Sequence, residues 1–203
     1  FTDFAIDKKT LSTITKKGIQ ESFNRISVDG DTSTSDTVFV ATTNKKCLEF
    51  SKERRKKAID SFYNELKVAM IDLAKKIVMD GEGASKFITV RVKNAKDTYR
   101  ARKICFSIAN SILVKTAIAG EDANWGRIIM AIGNSSASIN QKKISVSVGK
   151  HSIIKKGEIN KNYNEEKLSK YLKGYQIIIK IELYMGNGSG TMWTCDLTKR
   201  YIE

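Results

Sequence analysis

The chain has 203 residues, of which 41% are hydrophobic and 29% charged, a composition typical of globular rather than disordered proteins. No apolar run approaches the roughly 18 residues that a membrane-spanning helix requires, and the opening residues lack the pattern of a secretory signal. Cys47, Cys105 and Cys195 are widely spaced and form no C-x-x-C pair, so neither a disulfide framework nor a zinc site is indicated. We therefore expect a cytoplasmic protein without a membrane helix or a metal.

The formal net charge of +14 and the isoelectric point near 9.6 raise the question of nucleic-acid binding. The lysines are spread along the chain, and most of the densest run, "SKERRKKAIDSFYNEL", falls on one amphipathic pattern. Such a distribution is typical of a solvated, lysine-rich surface. We expect no specific nucleic-acid binding, and a basic nucleic-acid-binding module stays as an alternative.

The first 80 residues predict two helices and two strands. Residues 10–23 have helical spacing with Asp7 or Thr10 as the N-cap, and residues 26–28 predict a short strand. The sequence "DTVFVAT", residues 36–42, predicts a second, mostly apolar strand. Residues 51–79 predict a long helix that ends at Gly81. Its apolar positions recur at intervals of three and four: Ala58, Phe62, Leu66, Ala69, Met70, Leu73 and Ile77.

The rest of the chain alternates strands and helices without a steady βαβ rhythm. The elements predicted from periodicity are a strand at 86–94, helices at 97–112 and 125–132, and strands at 143–149 and 175–185. The sequence "GNGSG", residues 186–190, predicts a hairpin turn into a last strand in "TMWTCDL". These elements favour an α/β fold, a layered α/β sandwich, in a single domain that covers residues 1–203.

A polar loop, "DGDTSTSD", lies between the first two predicted strands. Asp29 and Asp31, followed by two alternate serines, are spaced like the first ligands of a calcium loop. Thr34 then stands where such a loop needs glycine, and Val40 where it needs an acidic residue. The spacing therefore argues against calcium.

Few residues qualify for catalysis on spacing alone. His151 is the only histidine, and its setting in "VGKHSII" favours a surface or strand-edge residue over a catalytic base. The glycine-rich segments at 81–86 and 186–190 do not match a phosphate-binding P-loop. Glu82 lies between two glycines at a helix end, and two roles stay open for it: a ligand contact or a solvated turn residue.

The segment "GEDANWGR" offers the same choice between structure and ligand binding. Trp125 is predicted to pack in the core. Glu121 and Asp122 are predicted to cap the helix that follows.

Four segments, taken in order and spacing, resemble the β chain of the ornithine acetyltransferase family, also called glutamate N-acetyltransferase. These segments are "SFNRISVDGDTSTSDTV", "GEGASKFITV", "LVKTAIAGEDANWGRIIMAIG" and "WTCDLTKRYIE". The resemblance covers nearly the whole chain. It implies a layered α/β sandwich of the self-cleaving N-terminal-nucleophile type, shared with related aminopeptidases.

The resemblance also implies a reaction and a partner. Such proteins are precursors that cut themselves into α and β chains, and the threonine exposed at the start of the β chain is the nucleophile, with its own amine as base. The acetyl group passes from N-acetylornithine to this threonine and then to glutamate, which releases ornithine. Acetyl-CoA is a possible second donor, and no other cofactor is implied. The expected assembly is an α2β2 heterotetramer.

The ends of the chain differ from the family pattern. Thr2 and Asp3 match a "TD" pair that follows the nucleophile, so Phe1 is expected to lie several residues inside the β chain, with the catalytic threonine upstream and no catalytic residue in this chain. The family's asparagine-containing tail is expected beyond Glu203. Ala123 stands where the family usually has proline, which changes loop stiffness more than chemistry.

One substrate-contacting residue of the family maps onto this chain, and it is Glu82. The resemblance favours a scaffold role for the "DGDTSTSD" loop, as a tight, buried turn near the site whose side chains bond backbone groups. A self-cleaving aminopeptidase with a serine nucleophile is the second enzymatic hypothesis. The residue at the precursor's cut site would discriminate the two.

Overall fold

The computed structural model describes residues 1–46 and 51–203. These residues form two compact units, one of residues 1–25 and 32–76 and the other of residues 26–31 and 77–203. Cys47 lies outside the described residues. The single domain over residues 1–203 stays a prediction.

The described elements, in chain order, are β1 (Thr2–Phe4), α1 (Lys8–Glu21), β2 (Ile26–Ser27), β3 (Thr42–Lys46), α2 (Lys52–Met79), β4 (Phe87–Ala95), α3 (Thr98–Ala109), α4 (Ile112–Ala119), α5 (Gly126–Gly133), β5 (Ser145–Val148), β6 (His151–Lys155), β7 (Glu158–Ile159), α6 (Glu165–Leu172), β8 (Gln176–Glu182) and β9 (Gly188–Cys195). Short 3-10 turns occupy Phe23–Arg25 and Lys199–Tyr201.

The first unit contains α1, most of α2 and a parallel pair formed by β1 and β3. The predicted first helix is confirmed, and its N-cap is Asp7, whose carboxylate accepts a hydrogen bond from the backbone amide of Thr10 at 2.9 Å. Ile6, Ile14 and Tyr63 form a buried apolar cluster in this unit.

The strand predicted over residues 36–42 is wrong. The strand begins at Thr42 instead, and Val38 and Phe39 are exposed. β1 is only three residues long, and the residues of β3, beginning with Thr42, pair with it. A strand forms only where it can pair with a neighbouring strand. The β-propensity of residues 36–41 alone therefore does not make them part of the sheet.

The long helix is confirmed as α2, but its buried stripe differs from the predicted one. Tyr63, Met70 and Ala74 are buried, whereas Leu73 is 53% and Ile77 46% exposed. Of the predicted stripe, Met70 is buried, and Phe62 and Leu66 pack partly buried against the core of the first unit. Spacing therefore identified the helix and much of its core-facing stripe, and was wrong for Leu73 and Ile77.

The second unit is built on a seven-stranded sheet in the order β2-β9-β4-β8-β5-β6-β7. β4 lies inside the sheet; it runs parallel to β8 and antiparallel to β9. Alternate residues of these strands form one buried apolar face, and this face shares a core with α3, α4, α5 and α6. The result is the layered α/β fold that the sequence predicted.

The hairpin predicted across "GNGSG" is wrong. β8 and β9 do not pair with each other, because β4 lies between them. The connection crosses the end of β4, where the amide of Leu183 donates to the carbonyl of Lys93 and that of Met185 to the carbonyl of Asn94. A Cβ on Gly188 would lie 2.1 Å from the carbonyl carbon of Asp97. The glycine thus serves a close backbone crossing rather than a hairpin turn.

The predicted helix over residues 97–112 ends earlier, at Ala109, and α4 begins anew with Ser111 as its N-cap. The other predicted elements at 86–94, 125–132, 143–149 and 175–185 correspond to β4, α5, β5 and β8. The sequence did not predict α4, β6, β7 or α6. In the described part of the chain, no helix is long and apolar enough to cross a membrane.

Candidate functional site

Glu82 lies in a tight turn between α2 and β4, and its side chain is exposed. The next residue, Gly83, has a φ of +65°, and a Cβ there would come within 2.6 Å of the backbone nitrogen of Tyr201. The carbonyl of Gly83 accepts a hydrogen bond from the Thr198 hydroxyl at 2.7 Å. Only glycine therefore allows the Glu82 turn to pack against the turn at Lys199–Tyr201.

The other end of this turn is held by Asp196, which is 2% exposed. Its carboxylate accepts hydrogen bonds from the amide and hydroxyl of Ser85, at 2.8 and 2.5 Å, and from the amide of Lys86 at 2.9 Å. Charge-assisted bonds of this kind are stronger than neutral ones. The backbone that carries Glu82 is thus fixed from both sides.

The phenol of Tyr201 is bonded to one carboxylate, and the charges of two others act on it. Its hydroxyl donates to Asp29 Oδ2 at 3.3 Å. The negative charge of Asp29 raises the pKa of Tyr201 above its usual value, and burial and the charges of Glu82 and Asp31 act in the same direction. The site therefore presents negative charge and one phenol, a set suited to an ammonium group.

The loop that begins at Asp29 is exposed, so the predicted buried turn is wrong. The predicted bonds to backbone groups are present: Asp29 Oδ1 accepts from the amide of Asp31 at 2.9 Å, and Ser33 Oγ from the amides of Ser35 and Asp36 at 3.1 and 3.3 Å. These bonds are local to the turn and need no burial.

Lys115, on α4, is a residue that the sequence reasoning missed. It is 3% exposed, and its ammonium donates to the carbonyl of Val28 at 2.5 Å and to Thr194 Oγ1 at 3.0 Å. Burial lowers the pKa of Lys115, while neighbouring Cys195 and Asp196 oppose that shift. The available signal was a lone lysine in an otherwise almost wholly apolar helix, "ILVKTAIA".

The residues of the "GEDANWGR" segment have structural roles. Trp125 packs partly buried against the core, as predicted, and it is itself the N-cap of α5 without a side-chain cap bond. The predicted capping by Glu121 and Asp122 is wrong. Glu121 accepts from the buried Lys86 ammonium at 3.1 Å, and Asp122 lies 3.7 Å from the Arg127 guanidinium.

Other candidates for chemistry lie apart from this constellation. His151 is on β6, partly buried, with its ring centroid 5.7 Å from that of Tyr171. Burial raises the pKa of the Cys195 thiol, which makes it a poor nucleophile. Among residues 1–46 and 51–203, no group of three or more His, Cys, Asp or Glu side chains is placed to hold a metal ion.

The fold and this acidic turn define a class: a layered α/β protein with a carboxylate presented between two glycines. The ArgJ family model matches residues 1–203. The chain belongs to the ArgJ family, so the resemblance found in the sequence is confirmed.

Individual relatives support the same family. The chain is 42% identical over 203 residues to the arginine biosynthesis bifunctional protein ArgJ of Ruegeria pomeroyi, covering 100% of this chain and 48% of that protein. It is 42% identical to the protein of the same name from Zymomonas mobilis, covering 100% of this chain and 50% of that protein. The chain thus spans about half the length of the curated relatives it matches.

A crystal structure of the arginine biosynthesis bifunctional protein ArgJ from Bacillus halodurans has the same fold. It matches with a TM-score of 0.91 and 42% identity, over 99% of this chain and 94% of that one.

Proposed function

We propose that the chain is the β-chain part of an acetyltransferase of arginine biosynthesis, which moves the acetyl group of N-acetylornithine to glutamate. The observation that carries the proposal is the match of the entire chain to ArgJ proteins, whose name places them in that pathway. The proposed partner is an α chain cut from the same precursor, in an α2β2 assembly in the cytoplasm. Acetyl-CoA is a possible second donor, and no other cofactor is needed.

Glu82 is the proposed substrate contact. Ornithine carries two ammonium groups, and N-acetylornithine keeps one ionised group of each sign. The Glu82 carboxylate, with Asp29 and Tyr201 beside it, can orient an ammonium through a charge-assisted hydrogen bond. The glycines on both sides let the turn that carries Glu82 pack closely against its neighbours, while the Glu82 side chain itself stays exposed.

The proposed chemistry is acyl transfer through a threonine upstream of Phe1. The amine of that threonine takes the proton of its hydroxyl, the oxygen attacks the acetyl carbonyl, and ornithine leaves with its nitrogen protonated. The amine of glutamate then attacks the acetyl-threonine ester and regenerates the hydroxyl. The role of the present chain is to hold the donor while these bonds change.

The alternatives from the sequence have less support. The relatives reported above carry the ArgJ name, and none of these comparisons points to an aminopeptidase or to a nucleic-acid-binding module. The net charge of +14 favours weak, salt-sensitive contacts with nucleic acid, which do not require a dedicated site.

The substitution Glu82→Gln tests the substrate contact, because it keeps the side chain's shape and removes its charge. If the ion pair is desolvated in the complex, catalytic efficiency with N-acetylornithine should fall about ten- to a hundredfold, equivalent to roughly 1.5 to 3 kcal/mol. Self-cleavage should survive, because it does not involve ornithine. Steady-state kinetics on the processed enzyme measure the effect.

The matched control is Glu158→Gln, which removes an exposed carboxylate on β7, the strand at the opposite edge of the sheet from β2. The control should keep wild-type efficiency. Unchanged efficiency in Glu82→Gln itself would return Glu82 to the role of a solvated turn residue.

A further inference from the structure

Lys115 carries a buried ammonium that the proposed chemistry does not use. Lysine is almost never fully buried unless its charge is paired, because removing an ammonium from water is costly. Here the side chain is 3% exposed, and its bonds run to a backbone carbonyl and a hydroxyl rather than to a carboxylate. The buried ammonium of Lys115 therefore indicates a structural role that an apolar side chain could not fill.

The partners of Lys115 belong to the ends of two neighbouring strands. β2 pairs with β9 over two positions only, and the last of them joins Ser27 to Thr194. The ladder then stops, and the next carbonyl, that of Val28, is held at 2.5 Å by the ammonium of Lys115. The same ammonium reaches Thr194 Oγ1 at 3.0 Å and lies 3.9 Å from the sulfur of Cys195. Lys115 thus replaces the missing ladder bond.

The residues tied together by Lys115 form the floor of the turn that carries Glu82. A Cβ on Gly81 would come 3.0 Å from Val28 Cγ1 and 3.3 Å from Cys195 Sγ, so the backbone of Gly81 rests against both. Cys195 Sγ also contacts the carbonyl of Val28 at 3.7 Å. A shift of Val28 would therefore move the support beneath the Glu82 turn and the start of the Asp29 loop together.

We infer that Lys115 is a positioning residue for the substrate site: its ammonium fixes the end of β2 against the end of β9 and so sets the separation between Glu82 and Asp29. The inference rests on the proposed function, because it assigns Glu82 to substrate binding. It adds a residue that acts through two backbone segments and touches no substrate.

The test is a double-mutant cycle with Lys115→Met and Glu82→Gln in the processed enzyme with both chains present. Methionine keeps the length of the side chain and removes its charge. Lys115→Met should raise the KM for N-acetylornithine about tenfold with a smaller change in kcat, because a binding contact is misplaced. The double variant should be no worse than Glu82→Gln alone, because Lys115 acts through Glu82.

Ser135→Ala is the control for general loosening. Ser135 is also buried, and its hydroxyl donates to the carbonyl of Ile132 at 2.6 Å, at the end of α5. This variant should lose thermal stability and keep the wild-type KM. An equal rise in KM in Ser135→Ala would mean general loosening and would overturn the inference.

The remaining outcomes separate the inference from the proposed function. Normal efficiency in Glu82→Gln contradicts the substrate contact, whereas a defect in Glu82→Gln with a wild-type KM in Lys115→Met contradicts only the positioning role. Effects that multiply in the double variant also contradict it. If Lys115→Met does not fold, Thr194→Val decides: it removes one partner of the ammonium and keeps the shape, and a raised KM supports the role while an unchanged KM overturns it.

Discussion

Single carboxylates cap the N-termini of two helices, Asp7 for α1 and Asp97 for α3. Asp97 is the N-cap of α3, where its side chain accepts from the amide of Arg100 at 2.8 Å and pairs with the Arg100 guanidinium. The hydrogen bond from that amide holds the pKa of Asp97 below its usual value, and the guanidinium adds to this effect. The ionised carboxylate is therefore the form that stabilises the fold.

This cap predicts a pH-dependent contribution to stability. A lowered pKa in the folded state means that the stabilisation is present above the unfolded pKa and is lost as pH falls through the folded value. Asp97→Ala should lower Tm at pH 7, and its deficit relative to wild type should shrink below about pH 4. Thermal unfolding followed by circular dichroism across pH measures both quantities.

Asn164→Ala is the matched control for Asp97→Ala. Asn164 caps α6 through a bond from the amide of Lys167 at 2.8 Å, and its amide does not titrate. The Tm deficit of Asn164→Ala relative to wild type should therefore not shrink at low pH. A parallel decline in both variants would show that the charge of Asp97 is irrelevant.

At this scale the sequence could indicate Glu82 but not its neighbours. Glu82 and the glycines on both sides of it form a local pattern, contained in the sequence "GEGASK". Tyr201 meets Asp29 across 172 positions, and Lys115 meets Val28 across 87. Such contacts depend on which strands become neighbours, and single-sequence periodicity carries no information on strand order.

The connection between β8 and β9 leaves no room for a side chain at Gly188. It crosses the end of β4, and a Cβ on Gly188 would meet the backbone of Asp97 at 2.1 to 2.6 Å. Backbone atoms cannot move aside as a flexible side chain can. The crossing therefore requires glycine at this position.

Gly188→Ala should lower the free energy of unfolding by about 3 kcal/mol or more, because a methyl group is forced into backbone atoms. Gly133→Ala, at the end of α5, is the control, since a Cβ there meets nothing within 4 Å. It should be neutral or stabilising by up to about 1 kcal/mol. Urea unfolding of both variants gives the comparison, and a loss below about 1 kcal/mol for Gly188→Ala would refute the crossing constraint.

Elements with strong local patterns were predictable, and elements set by pairing were not. α2 and β4 follow from periodicity alone, whereas the hairpin prediction failed because a short glycine-rich connection indicates a turn without saying which strand lies beside which. α6 was missed although its signal is local. It has Asn164 as cap, two glutamates in the first turn and Leu168 and Leu172 as buried positions.

On the scale of the whole molecule, the site elements gather at one edge of the seven-stranded sheet. The edge strand β2 is two residues long and pairs only with β9. Side-chain bonds from Lys115, Asp196 and Tyr201 hold the loops that follow these strands. The candidate site therefore depends on side-chain polar contacts more than on the sheet's own hydrogen bonds.

The central claim is that this chain forms half of an acetyl-transferring enzyme whose nucleophile is a threonine upstream of Phe1. Trapping the acyl-enzyme tests it: the processed protein is mixed with N-acetylornithine in the absence of glutamate, quenched in acid, and each polypeptide is examined by intact mass and peptide mapping. The account predicts two polypeptides, with one acetyl group on the threonine at the start of the polypeptide that contains residues 1–203. Added glutamate should remove the acetyl group and yield N-acetylglutamate. An acetyl group on a residue within 1–203 or on the other polypeptide, or no acetyl group at all, would contradict the account.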